Sequence, residues 1–188
     1  MWTMPPEWQP HTATWMGFPT GAYDTAGVSD DDVFDAWAQV ANTISEHEPV
    51  HMLCHPGQLT IAQKKLASAV TVHTFEIDDA WIRDSGPTFV TGEHGLGGVD
   101  WVFNGWGDHT AFDWSQDAKV ASHIIELTGA KRLGSDLVNE GGGIHVNGEG
   151  DVLLTRTVQL DPGRNPTATE DTVEVEVHQK LGTERAIW

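Results

Sequence analysis

Two acidic elbows punctuate the chain 56 residues apart, and the segments around them follow one order. The first elbow is Glu76-Ile77-Asp78-Asp79-Ala80-Trp81-Ile82-Arg83-Asp84-Ser85-Gly86-Pro87, and the second is Asn139-Glu140-Gly141-Gly142-Gly143. Asp84 and Glu140 hold corresponding places in them. Around each, the pattern predicts helix, strand, elbow, strand, hairpin, strand, helix. Repetition at this spacing predicts modules arranged about an axis, each too small to bury its apolar faces alone. A third round passes through helix and strand and reaches Trp188 where the next elbow is due.

Local signals give the elements and an α/β class. Thr12–Phe18 reads as a first strand ended by Pro19. Ser29 before Asp30-Asp31-Asp32 is an N-cap with an acidic first turn, which suits the positive end of a helix. Val33, Trp37, Val40, Ala41 and Ile44 then recur at spacings of three and four, predicting an amphipathic helix to about Glu46. Strands over Val50–Cys54 and Val70–Phe75 flank a helix over about Gly57–Ala69. After the first elbow comes a strand, Thr88–Thr91, and the glycines of Gly92–Gly98 are expected to turn a hairpin into Val99–Phe103. The loop Asn104–Trp114, with Asp108-His109, is placed to cover a site. A helix over Ser115–Leu127 follows, with Gly129 as its C′ residue, and then a strand near Lys131–Leu133. Beyond the second elbow, Ile144–Val146 and Val152–Thr155 form another hairpin, with His145 facing solvent or the axis. The last helix starts at Thr167 or Thr169 and stops at Gly182. Val173, Val175 and Val177 alternate within it, so a strand stays open there. Glu184–Trp188 reads as a strand, and residues 1–188 read as a single domain.

Charge narrows the function classes. Against 28 Asp+Glu stand 10 Lys+Arg, a formal charge of −18. No basic face is available to neutralise a phosphate backbone, which excludes nucleic acid as a partner. Anionic membrane surfaces are disfavoured for the same reason, and no apolar run approaches the ~20 residues that span a bilayer. An acidic field concentrates small cations, although a requirement for solubility gives the same composition. The opening residues MWTMPPEWQP lack a basic segment and do not read as a signal peptide. One cysteine gives no internal disulfide and no zinc-type pair. These features predict a cytoplasmic protein.

Asp84 lies between Arg83 and Ser-Gly-Pro, where the chain turns sharply. It reads either as a turn residue paired with Arg83 or as a receptor for a planar cation, with Trp81 three residues earlier as an aromatic face. Glu140 is wedged between apolar strands, where a glutamate needs a cation, an arginine or a catalytic task; a surface-turn role is the alternative. Gly141–Gly143 permit unusual dihedrals or the close approach of another segment. They do not open a helix and are not followed by a phosphate-loop lysine. His51 and His55 share a strand face while Cys54 points to the other, so no metal site is expected and the thiol belongs to the core.

Several segments together carry a resemblance that spans the chain: Met4-Pro5-Pro6-Glu7-Trp8-Gln9-Pro10-His11 with Thr14-Trp15, Asp79–Pro87 (DAWIRDSGP), Phe103–Gly107 (FNGWG), Glu140–His145 (EGGGIH) and Gly163-Arg164-Asn165-Pro166. The chain resembles the agmatine deiminase family, which groups with bacterial peptidyl-arginine deiminases in the pentein, or α/β-propeller, superfamily. The resemblance implies a partial propeller of ββαβ-type modules around a pseudo-fivefold axis, about two and a half of them here. It also implies hydrolysis of agmatine to N-carbamoylputrescine and ammonia, a step of putrescine biosynthesis, without metal or organic cofactor. In that chemistry a cysteine thiolate attacks the guanidinium carbon, a histidine moves protons and carboxylates grip the nitrogens. Asp84 matches the guanidinium-binding aspartate, Trp81 packs beside the substrate, and Glu140 matches the glutamate that pairs with the catalytic histidine. That histidine, a second aspartate and the nucleophilic cysteine have no counterpart in this sequence. The chain thus reads as an N-terminal half, inactive alone, either completed by a missing C-terminal half or by homo-oligomer formation. The loop 104–117 has no Lys or Arg to hold a peptide carboxylate, which favours agmatine over peptidyl-arginine. A non-catalytic acidic module that binds guanidinium groups is the rival reading.

Overall fold

The computed structural model describes residues 1–21, 27–108 and 113–188. In chain order the elements are β1 (Trp2–Thr3), β2 (Thr14–Gly17), α1 (Asp30–Ser45), β3 (Val50–Cys54), α2 (Leu59–Lys65), β4 (Val70–Thr74), β5 (Thr88–Gly92) and β6 (Gly95–Val102). They continue with α3 (Val120–Thr128), β7 (Lys131–Val138), β8 (Ile144–Val146), β9 (Asp151–Leu154), α4 (Glu170–Leu181) and β10 (Arg185–Ile187). Short helical turns occupy Ile82–Ser85 and Arg156–Gln159, and a left-handed turn occupies Gly105–Asp108. These elements form two compact units, Pro10–Ile82 and Met1–Gln9 with Arg83–Trp188.

The smaller unit is a parallel sheet in the order β2-β3-β4. Helix α1 begins where its sequence predicts, because Ser29 and Asp32 form a reciprocal capping box that satisfies end N–H groups. Its buried face brings Phe34 and Ala41 against Val50, Met52, Cys54 and Val70. Cys54 is fully buried there, as expected for a core thiol. The segment read as one helix over 57–69 is split instead: a 3-10 turn at Pro56–Gln58 leads into α2.

The larger unit contains the repeat. Hairpin β5–β6 is antiparallel, α3 crosses over, and β7 returns parallel to β6. Hairpin β8–β9, α4 and β10 follow the same order with the same pairing. Strand β1 adds antiparallel to β5. Val90, Val99 and Trp101 of the first repeat share one core with Ile144, Val146, Val152, Leu154, Val173, Val177 and Leu181 of the second. Both repeats need that shared layer, since neither encloses its apolar side chains alone.

Two sequence expectations change here. The alternating valines of 173–177 are helical: Val173, Val177 and Leu181 recur every fourth residue on the buried face, while Val175 is exposed. The glycines of 92–98 do not make one long turn. The turn is only Glu93-His94, because Gly92 already pairs with Gly95. Gly97 and Gly98 are strand residues, and a Cβ on Gly98 would come within 2.6 Å of Ile125. They are glycines because α3 and Trp2 press on the strand, not because the chain reverses there.

Candidate functional site

The end of the first elbow, from Arg83 onward, meets the second elbow inside the larger unit. Asp84 sits in the helical turn Ile82–Ser85, between β4 and β5. Glu140 follows β7, held at the strand end by the Asn139 N–H donating to the Val102 carbonyl (3.1 Å). The 3-10 turn Gly141–Gly143 comes next. A Cβ on Gly141 would lie 2.3 Å from the Arg83 main-chain oxygen, and one on Gly142 would lie 2.5 Å from Asp84 Oδ1. None of these three glycines has positive φ. Of the two roles open to them in the sequence, close approach is the one they fill: their bare backbone lets Arg83 and Asp84 lie directly on the second elbow.

Asp84 is anchored at both oxygens. The Gly142 N–H donates to Oδ1 (3.1 Å) and the Trp106 indole N–H donates to Oδ2 (3.1 Å). Its neighbour Arg83 points away and pairs with Glu7. The turn reading, in which Asp84 serves as partner to Arg83, is therefore replaced. A carboxylate oxygen accepts at two lone pairs, so one donor on each leaves a half-buried, fixed carboxylate able to take two parallel N–H donors.

Glu140 is only 3% exposed. Arg164 Nε donates to its Oε1 (2.8 Å), and the Arg164 side chain is itself almost enclosed. Burial pushes the Glu140 carboxyl up from the ordinary glutamate value, Arg164 pulls it back, and Asp84 and Asp161 push it up further. A carboxyl displaced upward in this way holds a proton more readily than a surface glutamate, which suits proton transfer. Beside it, Gln159 Nε2 donates to Asn139 Oδ1 (2.6 Å), both residues fully buried.

Trp81 belongs to the smaller unit, where it is 44% exposed and meets Trp37 edge to face (centroids 6.0 Å, 75°). The Cys54 thiol is pushed up to about 11 by burial, which keeps it protonated and unreactive near neutrality. His51 and His55 do not act together. His51 lies flat against Trp15 and hydrogen-bonds His73 (2.9 Å), whereas His55 accepts the Gly57 N–H at the start of a 3-10 turn. Among the described residues no three His, Cys, Asp or Glu side chains gather into a set able to hold a metal ion. His145 is exposed. His109, in the loop placed over the site by its sequence, lies outside the described residues.

The sequence alone singles out neither Arg164, which contacts Glu140, nor Trp106, which contacts Asp84, though both lie in segments that carry the family resemblance. A rule of burial points to the first: an enclosed glutamate requires a cation, and the whole chain has only 10 Lys+Arg. Nothing local to Trp106 announces that its indole turns toward Asp84.

The model of the Porphyromonas-type peptidyl-arginine deiminase family matches residues 3–188. A Streptomyces coelicolor relative, provisionally named as an agmatine deiminase, is 52% identical over 98% of this chain and 55% of its own. The agmatine deiminase of Pseudomonas aeruginosa is 38% identical over 98% of this chain and 52% of its own. The solved agmatine deiminase of Enterococcus faecalis superposes with a TM-score of 0.93 at 35% identity, covering all of this chain and 52% of that one. The chain spans about half the length of the relatives it matches.

Proposed function

We propose that this chain, which belongs to the Porphyromonas-type peptidyl-arginine deiminase family, forms the carboxylate side of a site that binds and hydrolyses agmatine. The observation that carries the reading is the meeting of Asp84 and Glu140 through Gly141 and Gly142. A guanidinium stays protonated in water and offers paired N–H donors in one plane. Asp84, anchored at each oxygen, accepts two of them and fixes the plane. Glu140, raised by burial, assists the proton movements that free ammonia. Attack on the guanidinium carbon needs a thiolate, and the product is N-carbamoylputrescine.

The thiolate is not Cys54, whose buried thiol sits at about 11. The nucleophile and the proton-shuttling histidine of this chemistry are assigned to no residue of this chain. In the assembled protein the repeated β-β-α-β pieces are modules of an α/β-propeller. Agmatine is favoured over peptidyl-arginine because the loop 104–117 offers no Lys or Arg to a carboxylate and the chain carries −18.

Calorimetry with agmatine, and with putrescine as the control lacking a guanidinium, tests the binding half. Saturable heat with agmatine, absent with putrescine and lost in Asp84→Asn, is the expected result; equal heats with both compounds contradict it. Ammonia release by the chain alone should be negligible. Enzyme-like release would overturn the assignment of roles.

A further inference from the structure

Four successive residues, Gly105 to Asp108, have φ values of 66°, 60°, 89° and 59°. Two of them, Trp106 and Asp108, are not glycine. A left-handed backbone is unfavourable for an L-residue, and such strain persists only where the surroundings hold it in place. What this turn achieves is the aim of the Trp106 indole N–H at Asp84 Oδ2. Phe103 braces the indole edge to face (5.2 Å, 86°).

Asn104 holds the turn from three directions. Its side-chain Oδ1 accepts the Gly107 N–H (2.8 Å) and its main-chain oxygen accepts the Asp108 N–H (2.9 Å). Its Nδ2 donates to the Gly163 carbonyl (3.0 Å), one residue before Arg164. The segment after Gly163 is fixed in turn by Asn165, whose Oδ1 accepts the Val138 N–H (3.0 Å) and whose Nδ2 donates to the Val138 carbonyl (2.9 Å). The contacts close on themselves. Asp84 leads through Trp106 to Asn104, then through Gly163 and Arg164 to Glu140, and back through the Gly142 N–H to Asp84.

We propose that Asn104 is a positioning residue that sets both carboxylates at once, holding the left-handed turn that presents Trp106 to Asp84 and tying that turn to the segment whose Arg164 holds Glu140. It touches neither carboxylate, so it acts through Trp106 and Arg164. The inference rests on the reading of Asp84 and Glu140 as a guanidinium site, but its geometry can be tested without any ligand.

The test uses the full 188-residue chain. Hydrogen exchange of the Trp106 indole N–H is followed by NMR in the wild type, Asn104→Ala and Asn104→Asp, with agmatine affinity as the second readout. The Trp101 indole, bonded to Thr88 Oγ1 in the same unit, is the internal reference. In Asn104→Ala the Trp106 indole should exchange about tenfold faster or more, Trp101 should be unmoved, and agmatine should bind about tenfold more weakly, the scale set by losing directed hydrogen bonds. Asn104→Asp keeps the acceptor for Gly107 and should retain Trp106 protection, losing only the tie to Gly163. Adding Trp106→Phe to Asn104→Ala should cost no further affinity, because Asn104→Ala has already released the Trp106 contact.

Unchanged Trp106 exchange in Asn104→Ala overturns the proposal. So does equal loss at Trp101, which marks general loosening, or additive losses in the double variant. If Asn104→Ala does not fold, Asn104→Asp decides: loss of Trp106 protection in that variant, with Trp101 unmoved, contradicts the role. If the wild type binds no agmatine, the guanidinium reading fails while the exchange measurements still judge Asn104.

Discussion

At the scale of single residues, the site depends on how two carboxyl groups are held. Glu140 and Arg164 form an enclosed pair, so removing one partner leaves the other buried and unmatched. Arg164→Met should lower stability by about 3–5 kcal/mol in urea titrations. The raised Glu140 carboxyl has its own signature. The folded chain then binds more protons than the unfolded chain between glutamate's ordinary value and the raised one. The contribution of Glu140 to stability is therefore full below that window, falls as pH rises through it and is flat above. Urea midpoints measured from about pH 4 upward should show this fall in the wild type and lose it in Glu140→Gln; an unchanged slope in the variant would show that the carboxyl is not displaced.

At the scale of elements, caps and glycines decide where segments begin, end and touch. Ser29→Ala removes one arm of the capping box of α1 and should cost about 1 kcal/mol by denaturant titration. Gly141→Ala drives a methyl group into the Arg83 carbonyl, a main-chain atom that cannot swing aside. It should destabilise by about 1–3 kcal/mol and move the Gly142 N–H off Asp84, so agmatine binding falls with stability. Retained binding and stability would contradict the close approach. Much at this scale was legible in the sequence: the Ser29 cap, the stops at Gly129 and Gly182, the hairpins and the matching elbows all follow from local chemistry. Gly97, Gly98 and Gly141 were harder, because a glycine kept for close packing looks in sequence like one kept for turning. The alternating valines of α4 were ambiguous for a related reason, since only the packed layer reveals that Val173 and Val177 share a face while Val175 does not. The Trp106–Asp84 contact was beyond local reading, as it spans 22 residues and depends on a left-handed turn.

For the molecule as a whole, a charge of −18 acts as a field as well as a set of contacts. It should draw a dication such as agmatine toward the chain and be screened by salt over the ~8 Å Debye length at physiological ionic strength. Agmatine affinity should therefore weaken as sodium chloride is raised, and more steeply than that of a singly charged guanidine. Equal salt slopes for the two ligands would remove the field from the account. Among the described residues no helix is long and apolar enough to cross a membrane. The most direct measurement is a crystal structure of the chain grown with agmatine. The account predicts a guanidinium lying in the plane of the Asp84 carboxylate, with one nitrogen near each oxygen and the Gly142 and Trp106 donors still in place. Agmatine held elsewhere, with Asp84 facing only water in a crystal saturated with ligand, would contradict it.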